Sequence, residues 1–212
     1  MERIPPHILL GAYTEGVFPM AEGGEILWFS PLKRGLLPLD ERFHIPHGLK
    51  RTLKRKPFEV RRDSDFRQVI RACGEREETW IDEVIVESYV HLHELGFAHS
   101  MECWDEEGLQ GGLYGVSLGR VFFGESMFSR KPEASKVALV HLVEWLREEG
   151  YTLLDTQWMT DHLRQFGGEE ILREDYFTLL DKALGDTYEV PPQTASEEPS
   201  SLEASPKSGN PS

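Results

Sequence analysis

The chain has 212 residues, 39% of them hydrophobic, and a formal net charge of −14. That is enough to bury a real core, as one domain or one domain plus an appendage. No apolar run nears membrane-spanning length, no apolar or Arg-rich leader opens the chain, and Cys73 and Cys103 form no C-x-x-C pair, which argues against a membrane protein, a disulfide framework and a cysteine zinc site and for a cytoplasmic protein.

In chain order, the stretch from Pro6 to Glu15 is an amphipathic helix closed by Gly16 and Pro19. E-I-L-W-F-S-P is a short strand ended by Pro31, and G-L-L-P-L-D is a candidate strand. F-H-I-P-H leads into a basic helix, and F-E-V-R-R reads as a strand. D-S-D-F-R-Q-V-I-R-A-C-G is a helix capped by Asp63 or Ser64 and stopped by Gly74. The next helix carries apolar Val84, Tyr89, Leu92 and Leu95 and stops at Gly96. A-H-S-M-E-C-W is a strand, and G-G-L-Y-G-V-S-L-G and R-V-F-F-G-E-S-M-F-S form a hairpin through Gly119 and Arg120. A strong amphipathic helix covers Ser135 to Glu149, Y-T-L-L-D-T-Q is a buried strand, and two short helices follow near His162–Phe166 and Arg173–Leu184. From about Val190 the chain is rich in Pro, Ser and Glu with almost no large apolar residue, the composition of a disordered tail.

Three hairpin-joined strands followed by a crossover helix and a returning strand predict an α/β (α+β) layer with a mixed sheet, the layout of acyltransferase-type folds. Charge divides along the chain. Residues 1–72 carry 13 Lys+Arg against 9 Asp+Glu, and the remainder carries 10 against 28. The basic excess concentrates at Lys50, Arg51, Lys54, Arg55, Lys56, Arg61 and Arg62. Spacings of three and four put Lys50, Arg51, Lys54 and Arg55 on one helical face. Such a stripe either tracks phosphates or is a solvated surface.

The candidates for chemistry are few. His91, His93 and His99 share no helical face, so ordinary structural roles outweigh a metal site. G-V-S-L-G has the letters of a nucleophile elbow but lies within a hairpin, not at a strand-to-helix turn. The loop S-R-K-P-E-A-S-K before the long helix lacks the glycines of a coenzyme A pyrophosphate loop, although Arg130, Lys131 and Lys136 can still meet a phosphate at a helix start. Asp155 and Gln157 stand two apart at a strand end, so alternation puts them on one face. Such a pair holds and activates an amine, or the Asp simply caps the next helix. Trp28 and Trp80 suit base stacking or the core. Glu125 interrupts an apolar strand, where an ionised carboxylate is costly unless paired. It either grips a ligand, or pairs with Arg130 or braces the loop.

Together, A-Y-T-E-G-V-F-P-M, I-L-W-F-S-P, F-H-I-P-H-G-L-K-R, T-W-I-D-E, Y-V-H-L-H-E-L-G-F-A-H-S-M-E-C-W, G-G-L-Y-G-V-S-L-G-R-V-F-F-G-E-S-M-F-S-R, A-S-K-V-A-L and D-T-Q resemble the bacterial leucyl/phenylalanyl-tRNA–protein transferases, in order from about residue 8 to 185. The resemblance implies a small N-terminal domain (1–34) on an acyltransferase-like domain (35–188), ahead of a tail at 189–212. It implies a cytoplasmic monomer that needs neither coenzyme A nor metal. Its donor is aminoacyl-tRNA charged with Leu, Phe or sometimes Met. Its acceptor is the α-amine of a protein beginning with Lys or Arg, and the product is a degradation signal under the N-end rule. Carried over by position, Asp155 and Gln157 activate the acceptor amine and Glu125 lies near the aminoacyl group. Trp28 and Trp80 flank the terminal adenosine, Leu113 and Phe122 line the apolar pocket, and Ser126 belongs to the same aminoacyl/adenosine site. Lys50, Arg51, Lys54, Arg55 and Lys56 face the tRNA stem. The acidic second part of the chain would then draw basic N-termini while the basic first part holds RNA. Departures occur at Asp161, where the family usually has Pro, and at Arg164–Gln165, where it often has small residues. The alternatives are altered donor or acceptor specificity, a coenzyme A-dependent N-acetyltransferase, and a tRNA-binding protein without catalysis.

Overall fold

The computed structural model describes residues 2–185; the expected tail at 189–212 lies outside them. The first helix, α1 (Pro6–Thr14), starts with proline at its first position, where no intrahelical N–H is needed. It buries Leu9, Leu10 and Tyr13 on one face. It leads into an antiparallel ribbon, β1 (Phe18–Glu22) and β2 (Glu25–Phe29), turned at Gly23–Gly24. Sequence reading found β2 and missed β1, because F-P-M-A-E has a proline within it and no clean alternation.

Next come β3 (Lys33–Leu37), the basic helix α2 (His47–Arg55), β4 (Glu59–Arg62), α3 (Phe66–Gly74) and α4 (Glu83–Glu94). The cap of α3 is Asp65, whose side chain accepts the Gln68 N–H, rather than Asp63 or Ser64. Asp63 instead takes a left-handed backbone (φ 55°) and accepts hydrogen bonds from Ser100 N–H and His99. Of the apolar residues expected along α4, Tyr89 and Leu92 are fully buried, while Leu95 lies just past the helix and is exposed.

The second half is β5 (Ala98–Asp105), β6 (Gly108–Leu118), β7 (Val121–Ser129), α5 (Ala134–Glu148), β8 (Leu153–Gln157), α6 (Asp161–Arg164), β9 (Glu169–Leu172) and α7 (Arg173–Leu184). Strand β9 was not expected. It is four residues long, at a sheet edge, and its sequence E-E-I-L carries no period-two signal.

Seven strands form one mixed sheet in the order β4-β5-β6-β7-β8-β3-β9. β5, β6 and β7 are antiparallel neighbours, and α5 carries the chain over so that β8 runs parallel to β7. Helices cover both faces. Leu9, Leu10, Val69, Ile70, Ile85 and Tyr176 pack with Val116, Val121 and Phe123 on one face. Val137, Leu139, Val143 and Leu146 of α5 pack with Leu113, Phe122 and Leu154 on the other. Each such buried side chain contributes about 1.5–3 kcal/mol of transfer free energy, so packing on both faces holds the sheet together. Gly115 is part of that packing. A Cβ there would lie 2.2 Å from the Phe123 carbonyl oxygen and 2.4 Å from the Phe122 ring, and Gly119 takes φ 54° with a Cβ position 2.7 Å from the Leu184 carbonyl oxygen, which accounts for the glycines of G-V-S-L-G without a nucleophile elbow.

Candidate active site

The opening lies between β7 and β8. Their parallel pairing covers Val121↔Leu153, Phe122↔Leu154 and Phe123↔Asp155, and ends there. Beyond it both strands are irregular. On β7, Gly115 of β6 faces Gly124 and Tyr114 faces Ser126, so Glu125 is the extra residue of a β-bulge. On β8, Gly35 faces Gln157 and Leu36 faces Asp155, so Thr156 is the extra residue of a second bulge. Bulges bend a strand and re-aim side chains, often beside active sites. Here two of them spread the sheet apart at one point.

A cavity of about 720 Å³ fills the gap. On the α5–α6 side its wall is largely apolar: Leu113, Leu139, Leu142, Leu154 and Leu163. On the α3 side it is lined by Ala72, Arg76, Trp80 and Tyr114. Glu125, Ser126 and Gln157 also line it. Three polar atoms of lining residues, Tyr114 Oη, Thr156 Oγ1 and His162 Nε2, are buried with no hydrogen-bond partner among the described residues. Buried polar groups are ordinarily paired, so these three stand out among the lining residues.

Glu125 is half-buried and well supplied with donors. Tyr13 Oη donates to Oε1 at 2.6 Å and Gln157 Nε2 donates to the same oxygen at 2.8 Å. Tyr89 Oη lies 3.4 Å from Oε2 and is also hydrogen-bonded to Tyr13 Oη. Burial pushes the Glu125 carboxyl up to about 7, aided by the charge of Asp155 and opposed by the hydrogen bonds from Tyr13 and Gln157 and by the charge of Arg34. Burial, with the Glu125 charge beside them, raises both Tyr13 and Tyr89 well above the usual phenol range, so they remain donors. Glu125 does not pair with Arg130, which is 2.9 Å from Glu75.

Asp155 is fully buried below the cavity wall. Its oxygens accept Arg34 Nε at 2.9 and 3.0 Å, Arg34 Nη2 at 2.7 Å, Tyr176 Oη at 2.7 Å and the Gln157 backbone N–H at 2.7 Å. Arg34 is 1% exposed. It also donates from Nη1 to the Gly16 carbonyl at 2.9 Å and lies over the rings of Phe18 and Tyr176. Gln157 has φ 62°, a left-handed backbone that a non-glycine residue rarely adopts. The bond from its N–H to Asp155 holds that conformation. Thus Asp155, Gln157 and Glu125 form one connected chain, through the bulge and left-handed turn rather than through simple alternation. Tyr13, Arg34, Tyr89 and Tyr176 complete it. Sequence reasoning missed these four. The signal available was an arginine beside the apolar G-L-L of β3, a strand that opens on Lys33.

The other expected residues divide. Trp80, Leu113 and Ser126 line the cavity. Arg76 Nη2 reaches Ser126 Oγ at 3.4 Å and is hydrogen-bonded to the Met127 carbonyl, tying the Trp80 loop to β7. Phe122 is fully buried among Leu113, Leu154 and α5 and is not a lining residue. Trp28 is 41% exposed on the β1–β2 ribbon, also outside the lining. That ribbon is nonetheless bound to the Trp80 segment, since Ala21 N–H donates to the Trp80 carbonyl at 3.0 Å. An unexpected aromatic, Trp158, directly follows Gln157 in the lining, 5.0 Å edge-on from Phe18.

On α2, Leu49 and Thr52 are buried while Lys50, Arg51, Lys54 and Arg55, with Lys56 at the left-handed C-cap, are all exposed. None of the five has an ion pair among the described residues. The cations at the start of α5, Arg130 and Lys131 before it and Lys136 in its first turn, are different. Lys131 is bound to Asp105 and Glu107, Lys136 to Glu133, and Arg130 to Glu75. With Glu133 itself at the N-cap, the start of α5 does not suit a phosphate. Of the three histidines, His93 Nδ1 lies 2.8 Å from the Ala98 carbonyl, His99 Nδ1 is 2.9 Å from Asp63, and His91 is 3.3 Å from Glu94. No helix among the described residues is long and apolar enough to cross a membrane.

A family model described as leucyl/phenylalanyl-tRNA protein transferase matches residues 36–181, and one for the N-terminal domain of that transferase matches residues 2–32. A protein of Akkermansia muciniphila named leucyl/phenylalanyl-tRNA–protein transferase is 58% identical over 188 residues, covering 86% of this chain and 97% of its own. One of the same name from Herpetosiphon aurantiacus is 51% identical over 183 residues, covering 86% and 96%. Among solved structures, FemX aligns with a TM-score of 0.51 at 13% identity over 81% of this chain and 70% of its own, a likeness of fold. The chain belongs to the leucyl/phenylalanyl-tRNA protein transferase family.

Proposed function

We propose that this chain transfers leucine, phenylalanine and sometimes methionine from aminoacyl-tRNA to the N-terminal α-amine of proteins beginning with Lys or Arg. It works as a cytoplasmic monomer, where charged tRNA is available, and marks its acceptors for degradation. The division at residues 34/35 belongs to the same reading and agrees with the spans of the two family models. The single observation that carries the reading is the Gln157–Glu125 hydrogen bond, 2.8 Å long, at the wall of a cavity with an apolar chamber beside it. The donor side chain fills that chamber. Trp80, and Trp28 on the ribbon bound to its loop, flank the terminal adenosine. The unpaired cations of α2 follow the tRNA phosphates.

The aminoacyl ester is already activated, so positioning supplies much of the acceleration. The acceptor nitrogen attacks the ester carbonyl carbon. The C–N bond forms as the C–O bond to the terminal ribose breaks. With its Nε2 committed to Glu125, Gln157 turns its amide oxygen to the incoming amine as a hydrogen-bond acceptor. Glu125 accepts the proton the amine loses and returns it to the departing ribose oxygen; a carboxyl near 7 suits both transfers. Its Oε2, whose neighbour is Tyr89 at 3.4 Å, is the less engaged oxygen. Asp155 contributes by locking the Gln157 backbone, since Arg34, Tyr176 and the Gln157 N–H already use its oxygens. The test is direct. The purified protein, Leu-tRNA and an Arg-initiated peptide should yield the Leu-extended peptide by mass spectrometry, and acetyl-CoA in place of the tRNA should yield nothing. Absence of product with Leu-, Phe- and Met-tRNA alike would overturn the reading.

A further inference from the structure

The outer end of the cavity is bordered by an ion pair that the reaction does not use. Strand β7 lines the cavity continuously from Gly124 to Ser129, and Arg130 extends that wall. At about 3.3 Å per residue, Arg130 stands about 16 Å along it from Glu125. Glu75, the C-cap residue of α3, lines the cavity from the α3 side. Arg130 Nη2 donates to Glu75 Oε2 at 2.9 Å. Both side chains are exposed, and an exposed ion pair contributes at most about 1 kcal/mol to stability. A carboxylate at the C-terminal end of a helix also has the wrong sign for the helix dipole. Stability therefore does not account for the pair, yet its geometry is fixed. Arg130 Nη1 donates to the Leu109 carbonyl at 3.1 Å, its backbone N–H donates to the Gln110 carbonyl at 2.7 Å, and its guanidinium lies 5.4 Å from the centre of the Phe128 ring. The pair thus presents N–H donors beside a carboxylate of which Arg130 engages one oxygen.

We propose that Glu75 and Arg130 bind the penultimate nucleotide of the donor and select cytosine there. The inference rests on reading the cavity as the site of the aminoacylated 3′ end, which in every tRNA is C-C-A. The ester beside Glu125 and the terminal adenosine beside Trp80 take up the first part of the wall, and the next base reaches the pair. The pairing edge of cytosine carries the N4 amino donor beside the N3 and O2 acceptors. Glu75 accepts from N4 while Arg130 donates to N3 or O2. Uracil reverses the pattern, setting its O4 acceptor against the carboxylate and its N3–H against the guanidinium. The pair is neutral overall, which suits a base edge rather than a phosphate.

The test compares Leu-tRNA with its natural C-C-A end and Leu-tRNA ending C-U-A, with the Arg-initiated peptide as acceptor. Each is made by ligating the leucylated dinucleotide to a tRNA lacking its last two nucleotides. Wild-type kcat/KM should favour the C-C-A end by about tenfold. Glu75→Leu and Arg130→Met should each bring that ratio to within about twofold of one. Glu75→Gln, whose amide both accepts and donates, should narrow the ratio by raising kcat/KM for the C-U-A end, a gain that a merely structural role would not produce. Thermal melting establishes that each variant is folded, and if one apolar variant does not fold the other decides. A wild-type ratio near one, a ratio unchanged in the apolar variants, or a Gln variant that lowers both substrates alike would overturn the proposal. Wild-type protein that transfers leucine from neither tRNA would instead overturn the functional reading beneath it.

Discussion

Replacing Glu125 by glutamine removes a carboxylate whose ionisation the fold resists while keeping its shape. In the wild type, burial raises its pKa from 4.5 to about 7. The folded state therefore binds a proton that the unfolded state has already released between those values. Stability is at its fullest below about pH 4.5 and falls as pH rises through 7. A shift of that size corresponds to a total on the order of 3 kcal/mol. Between pH 5 and pH 8 the wild type should lose roughly 2–3 kcal/mol that the variant keeps. Urea unfolding of both proteins at the two pH values measures this double difference. It cancels the constant effect of swapping one set of hydrogen bonds for another. On the catalytic side, loss of the proton acceptor should lower kcat/KM by about 10²–10⁴-fold, and the inflection near pH 7 in the wild-type rate profile should vanish. Equal pH dependence of stability in the two proteins would show that Glu125 is not held neutral by burial. Unchanged turnover would remove it from the reaction.

The buried pair of Arg34 and Asp155 behaves oppositely. Arg34→Met removes the buried cation beside Asp155, leaving it only Tyr176 Oη and the Gln157 N–H as donors, and should destabilise by about 3–5 kcal/mol in urea unfolding, while Arg34→Met with Asp155→Leu should recover much of the loss, because the broken ion pair is gone; a single variant within about 1 kcal/mol of wild type would show the pair to be dispensable. On the surface, Lys54→Ala with Arg55→Ala should weaken aminoacyl-tRNA binding and reduce the slope of log K against log salt by about 1.4–1.8 in anisotropy titrations. An unchanged slope would place the RNA elsewhere.

Much of this was legible in the chain. The period of Val137, Leu139, Val140 and Val143 specifies α5, and the apolar run before Asp155 specifies a buried strand, because burial on both faces of a sheet demands such a run. Glu125 was conspicuous for the same reason, a carboxylate among phenylalanines. The basic face of α2 follows from spacing alone. What escaped were short elements without a pattern, β1 and β9, and residues whose partners are remote in sequence. Arg34 meets Asp155 across 121 positions and Tyr13 meets Glu125 across 112. Phe122 resisted assignment in the other direction, since an apolar residue on a strand fits a cavity wall and a core equally well until packing places it.

By itself, then, the order of residues determined the longer elements, their layering and which polar groups stand out, since these depend on local backbone preference and on the cost of exposing apolar surface. Only the tertiary structure decided that two bulges part β7 from β8, that the carboxylate of Asp155 is spent on Arg34 and Tyr176, and that Glu125 is left at the cavity wall with an oxygen to spare. Strand register and side-chain direction at a bulge are set by contacts among segments far apart in the chain, and a hydrogen bond has a partner only once those segments have met.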